Sequence, residues 1–269
     1  RVDGAYGVAI AGTGNTLSEG AHYALAAGGR DNFVHADYAA AISGLRSEVS
    51  GAYSAAISGN DNVIAPPAIY SASLAGKDNT VIGPRSAVVA GADNIASGER
   101  SLLLGGEENE ANDIDAVILG GRKNFNRGNR TVIVGGDENQ IGTDSTDTRY
   151  SVVSGGRLNH VKVGYANSIF GGIANTAENV SDSVLIGDPT ISGLTSNRSI
   201  FGGTSNTQRG GYASSIVGGR FLVAEIRSLD DVNYYPTDCL IGSSGRAFVG
   251  STTAGGGNLI ETSFGEGDD

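Results

Sequence analysis

Residues 101–142 read SLLLGGEENEANDID, then AVILGGRKNFNRGNR, then TVIVGGDENQIG. Each block opens with a small residue and an apolar triplet, passes through two glycines, and reaches Asn three positions later. Blocks of this kind fill most of the chain. YSAAISGNDNVI begins at Tyr53, SAVVAGADNIASG at Ser86, SVVSGGRLNHV at Ser151 and NSIFGGIANTA at Asn167. The second glycine position falls at Gly29, Gly44, Gly59, Gly76, Gly91, Gly106, Gly121, Gly136, Gly156, Gly172, Gly203 and Gly219, mostly about fifteen residues apart. Weaker copies surround Gly12, Asp188 and Ser243. A fixed short period of this kind marks a solenoid, in which each repeat buries its apolar face only by stacking on its neighbours.

The block has room for two short strands and their turns, and is too short for a strand–helix pair. The first strand is the apolar triplet. The second follows Asn and carries an apolar or small residue two positions on: Val34, Val49, Ile64, Val81, Ala96, Ala111, Ile141, Val161 and Ala177. Glycine between the strands supplies positive φ without a Cβ clash. Coils stacked about 4.8 Å apart place the Asn column in a ladder: Asn15, Asn32, Asn62, Asn79, Asn94, Asn109, Asn124, Asn139, Asn159, Asn175 and Asn206. Stacked amides hydrogen-bond along such a ladder. Ion or ligand binding by Asp78–Asn79 or Glu108–Asn109 is the functional alternative, and turn chemistry alone accounts for the pattern. The fold class expected is an all-β parallel β-solenoid.

Successive strand residues face opposite ways, yet the first strand is apolar at consecutive positions. Leu102, Leu104, Val117, Leu119, Val132 and Val134 are therefore candidates for a coil interior or for a core between chains. One apolar face fills the coil and the other forms a stripe along it. Soluble monomers rarely leave such a stripe bare, so the expectation is a homo-oligomer packed along its length.

Composition agrees. The 269 residues include 43 Gly, 5 Pro, no Met and no Trp, and the net charge is −11. The only lysines are Lys77, Lys123 and Lys162. No basic stripe suits nucleic acid; the acidity reads as a solvated surface or as adaptation to high salt. Cys239 stands alone, so no disulfide forms within the chain. No run is long and apolar enough to span a membrane. Without a leader or initiator Met, the sequence reads as a mature or excised part of a longer protein.

Enzymatic signatures are weak. Gly12–Thr13–Gly14 is followed by no helix pattern, and His22, His35 and His160 share no metal-ligand spacing. No catalytic residue, metal or cofactor is expected, although a glycan-cleaving carboxylate pair formed between chains is conceivable from sequence. The repeat breaks at 65–69, 142–149, 188–198 and, longest, 220–238. Insertions in solenoids gather on one face that often binds. The last one makes Phe221, Asp230, Asp231, Tyr234 and Tyr235 candidate binding residues, with a clasp between chains as the structural alternative. Asn129, Asn179 and Asn197 lie in N-x-S/T sequons. The organisation expected is a solenoid over 1–219, a lateral insertion at 220–238, and degenerate final coils with a Gly-rich tail over 239–269.

The pattern SxVxGGxxNxAxG, with SVVSGGRLNHV at Ser151 and SIVGGR at Ser215, resembles the YadA-like head repeats of trimeric autotransporter adhesins and of viral and phage fibres. That resemblance implies left-handed β-rolls in a parallel homotrimer. It leads to the expectation of a virion surface fibre or head that attaches to a host-cell glycan or protein beside other virion proteins. The head of a bacterial adhesin at the cell surface, or a purely structural spacer, is the alternative.

Overall fold

The computed structural model describes the backbone of residues 1–143, 148–196, 199–209, 215–217, 222–225, 239–248 and 252–260. Side chains are described for 1–143, 148–178, 182–187 and for Ile200. The chain is a parallel β-solenoid. It forms two compact units, Arg1–Asn139 and Gln140–Asp269.

In the first unit each coil holds two strands of two or three residues. Leu102–Leu103 is followed by Glu110–Ala111, and Val117–Ile118 by Phe125–Asn126. Equivalent strands stack in parallel register: Leu102 on Val117 on Val132, and Leu103 on Ile118 on Ile133. Second strands do the same, with Ile95 on Glu110 on Phe125. Parallel stacking at one coil per rung satisfies each strand's amides and carbonyls with the coils above and below.

The middle residue of the first strand points into the coil. Leu103, Ile118 and Ile133 are fully buried, as are Ile64, Val81, Ala96 and Ala111 from second strands. The two contributions offset in size. Small Ala41 and Ala56 share their coils with Val49 and Ile64, whereas large Leu103 shares its coil with Ala111. Either strand can supply the bulky residue at close-packed density, and in the coil of Ile133 and Ile141 both strands do. Asn126 takes this position once. Its Nδ2 donates to the carbonyls of Val117 (3.1 Å) and Thr131 (3.0 Å), and its Oδ1 accepts from the Thr131 hydroxyl. A buried amide is tolerated there because it is paired.

The corners are ladders. Gly76, Gly91, Gly106, Gly121 and Gly136 all have positive φ, between 88° and 94°. The Asn column is buried and bonds rung to rung. The Asn109 Nδ2 donates to Asn94 Oδ1 (3.1 Å) and to the carbonyls of Gly105 (3.2 Å) and Gly121 (3.0 Å). Its Oδ1 accepts from both the backbone amide and Nδ2 of Asn124, each at 3.0 Å. The ladder changes at Ser47, whose backbone amide donates to Asn32 Oδ1 while its hydroxyl is buried without a partner among the described residues. A second ladder runs through the small residue that opens each coil. The amides of Ser71, Ser86 and Ser101 donate to the hydroxyls of Ser54, Ser71 and Ser86 at 3.0–3.1 Å.

Asn109→Ala removes all five of those side-chain bonds and orphans buried groups on two neighbouring coils. An unsatisfied buried group costs about 1–3 kcal/mol, so the expected destabilisation is about 3 kcal/mol or more. Asn109→Asp matches it, because a carboxylate cannot donate to the two glycine carbonyls. Chemical denaturation of the full chain checks both.

In the second unit the same parallel stacking continues. Gln140 pairs with His160 and His160 with Thr176; Val153 pairs with Ile169 and Ile169 with Leu185. Two stretches read from sequence as repeat breaks carry ladder strands. Val184–Ser196 runs through Asp188–Ser196 and pairs with Thr176–Ser181. Leu222–Glu225 lies inside the 220–238 segment and pairs with both Thr207–Arg209 and Gly245–Phe248. The segment therefore starts as a coil strand. The next first strand, Cys239–Ile241, stacks on Ser215–Val217.

Candidate functional site

The first unit has two outer strand faces, one apolar and one mixed. Alternation along the first strand turns three columns outward: the corner residue, the residue two positions on, and the residue four positions on. Leu102, Val117 and Val132 form part of the middle column and are half-buried. Leu104, Leu119 and Val134 form part of the third and are 41–42% exposed. Ile10, Ile57 and Leu74 extend that column and are exposed too. Of the two apolar faces visible in the sequence, the coil interior takes Leu103, Ile118 and Ile133, and these six candidates lie on the outside.

The face on the second strands is mixed: apolar Phe33, Val63, Ile95 and Phe125 alternate in register with Glu48, Thr80 and Glu110. Glu48, Thr80 and Glu110 point outward beside an ion-paired corner. There Arg46 forks onto Asp61 (Nε to Oδ1, 2.6 Å) and Arg122 onto Asp137 (3.0 Å), while Lys123 reaches Glu108 at 3.5 Å. The hydrogen bond from Arg46 holds the Asp61 carboxyl below the usual carboxylate range. Such exposed pairs contribute little to stability. They do keep this corner wetted.

The corner column of the apolar face changes along the unit. Tyr6, Tyr23, Tyr38, Tyr53 and Tyr70 stack ring on ring, with centroids 4.8–5.1 Å apart and interplanar angles of 5–21°. Each ring is 50–75% exposed. All five residues have φ of 55–59°, a conformation that costs a bulky residue free energy; stacked aromatic pairs, worth about 0.5–1.5 kcal/mol each, offset it. The stack holds even where coils are two residues longer, at Tyr6–Tyr23 and Tyr53–Tyr70. Beyond Tyr70 the column turns charged. Arg85 meets Glu99 at 2.8 Å, and Arg100 meets both Glu99 and Asp115 at 2.7 Å. Beside the tyrosines the middle column is mostly small (Ala40, Ala55, Ala72); beside the charges it is Leu102, Val117 and Val132.

The sequence reading missed this tyrosine rank. The signal was present, since each Tyr comes one repeat after the last and directly precedes the small residue that opens the strand. The binding candidates Phe221, Asp230, Asp231, Tyr234 and Tyr235 lie outside the described residues. The histidines are dispersed. His22 Nδ1 accepts from the Ala5 amide at 3.1 Å, His35 stacks by Phe33 on the second-strand face, and burial lowers the His160 pKa below its ordinary value. Asp78 and Glu108, the carboxylates considered for ion binding, face Lys77 and Lys123. Among the described residues no three His, Cys, Asp or Glu side chains gather as a metal site, and no helix is long and apolar enough to cross a membrane. No family model matches the chain, and no curated protein is significantly similar to it in sequence.

Proposed function

We propose that this chain is a non-catalytic fibre or head module carried on the outside of a virion, assembled as a parallel homotrimer of left-handed β-rolls and used in host attachment. The observation that carries the reading is the exposed apolar column on the first-strand face. Leu104, Leu119 and Val134 stand in a continuous column, each about two-fifths exposed. A contiguous apolar column of that kind marks an interaction surface. Copies of the same chain offer the matching column at the same spacing, and the resemblance to YadA-like head repeats supports three of them.

Sedimentation of the wild-type chain is expected to give a trimer that persists on dilution. Leu119→Asp keeps the coil interior intact and puts a carboxylate into the contact. An unpaired charge in an apolar interface costs about 3 kcal/mol, roughly a hundredfold in association. The variant should keep its β-sheet spectrum and sediment as a monomer. A wild-type chain that is a stable monomer at every concentration rejects the assembly.

A further inference from the structure

We infer that the rank Tyr6, Tyr23, Tyr38, Tyr53 and Tyr70 is a binding track for an uncharged, linear glycan. This deepens the attachment reading and rests on it for its biological setting. The ring faces are consumed by one another in the stack, so what the rank offers a partner is a row of ring edges and phenol groups. None of the five hydroxyls makes a hydrogen bond to a described residue. Each keeps a donor and an acceptor free, on rings whose centroids repeat every 4.8–5.1 Å.

That pattern separates the rank from the aliphatic columns beside it. Burying an unpaired hydroxyl is unfavourable, so five aligned hydroxyls fit a wet edge of the apolar face, whereas Leu104, Leu119 and Val134 fit its dry part. The rank itself carries no charge. Of the residues immediately before each Tyr (Ala5, His22, Asp37, Ala52, Ile69), Asp37 is the only carboxylate, and its Oδ1 already accepts from the His22 amide at 2.9 Å. A nucleic acid would need open ring faces and cations; the rank has neither. A polyhydroxylated neutral polymer supplies hydroxyl partners for the row of phenols. Its own repeat meets several rungs at once, so weak single contacts add up. The stack holds the side chains in place before binding, which reduces the ordering cost.

The test is native affinity electrophoresis of the full chain through gels containing dextran, mannan, a soluble β-glucan or heparin, with sedimentation of every variant in parallel. The wild-type chain is expected to be retarded by at least one of the neutral polymers and not selectively by heparin. The double variant Tyr38→Phe/Tyr53→Phe keeps the ring stack and removes two hydroxyls; its affinity should fall about tenfold, the loss of two hydrogen bonds. Arg85→Gln/Arg100→Gln, further along the same column, should change nothing. No retardation by any neutral polymer overturns the inference, as do retention by heparin alone and an unchanged Phe double variant. If the Phe variant instead sediments as a smaller species, the rank belongs to the contact between copies; the glycan track then falls and the assembly stands. A wild-type monomer that is still retarded by a neutral polymer sinks the assembly and leaves the track standing.

Discussion

Ile118→Asp is expected to leave the full chain unfolded at neutral pH, while Leu119→Asp, one residue away, leaves it folded. Ile118 is fully buried between Leu103 and Ile133 in the stacked first strands. The interior of a coil is too narrow for water to follow the carboxylate. A buried, unpaired carboxylate avoids the full desolvation cost only by taking a proton, which raises its pKa in the folded state. The folded chain then holds a proton that the unfolded chain releases above about pH 4. Stability is therefore lost progressively as pH rises past that value, by several kcal/mol at pH 7, against a typical total of about 5–15 kcal/mol. Circular dichroism from pH 3 to 8 reads the outcome, with partial recovery of sheet signal at the acid end. A variant that melts like the wild type across that range would mean that Ile118 faces outward.

The second large effect is at Gly121. Its φ is +88°, and a Cβ there would stand 2.6 Å from Asn124 Nδ2 and 2.8 Å from the Gly136 amide nitrogen, and closer still to the Gly136 carbonyl oxygen. Those atoms are the Asn ladder and the next coil's backbone, so the added carbon pries two coils apart where they bond most densely. Gly121→Val combines that overlap with backbone strain of about 1–3 kcal/mol and a damaged ladder, for an expected loss of at least about 4 kcal/mol. Gly105, the first glycine of the preceding pair, is the control. It has no positive φ and nothing within 4 Å of a built Cβ, so Gly105→Ala should stay within about 0.5 kcal/mol of the wild type. The chain already uses Ala75 and Ala90 at that first position. Thermal melts of the two variants should differ plainly; equal losses would show that the corner is misplaced.

Much of this architecture was legible before any coordinates. From Gly29 to Gly172 the glycine column identified from spacing is the column of positive φ, and from Asn15 to Asn175 the Asn column is a bonded ladder, because both are demands of the backbone that recur from coil to coil. Ser47 stands in the one early rung where the Asn column skips, and the ladder changes there. The reading of the breaks was less good. Leu222–Glu225 and Val184–Ser196 form ladder strands without the glycine pair, since parallel pairing needs only extended backbone beside an existing edge and tolerates almost any side chain outside the coil.

The sequence by itself determined the period, the two strands per coil, the turn that needs glycine and the presence of two apolar faces on the first strand. Only the tertiary structure decided which face is which. Val117, Ile118 and Leu119 are equally apolar in a list; Ile118 goes inside because the phase of the strand is set by the corners at either end. Nor could the sizes be read one strand at a time. Ala56 is adequate where Ile64 fills the coil, and Ala111 where Leu103 does, whereas Ile133 and Ile141 are both large in one coil, so the filling is settled by how the two strands meet. The tyrosine rank arises the same way. Five residues distant in sequence become one surface because parallel register puts each coil directly over the last, at a spacing that aromatic rings can bridge.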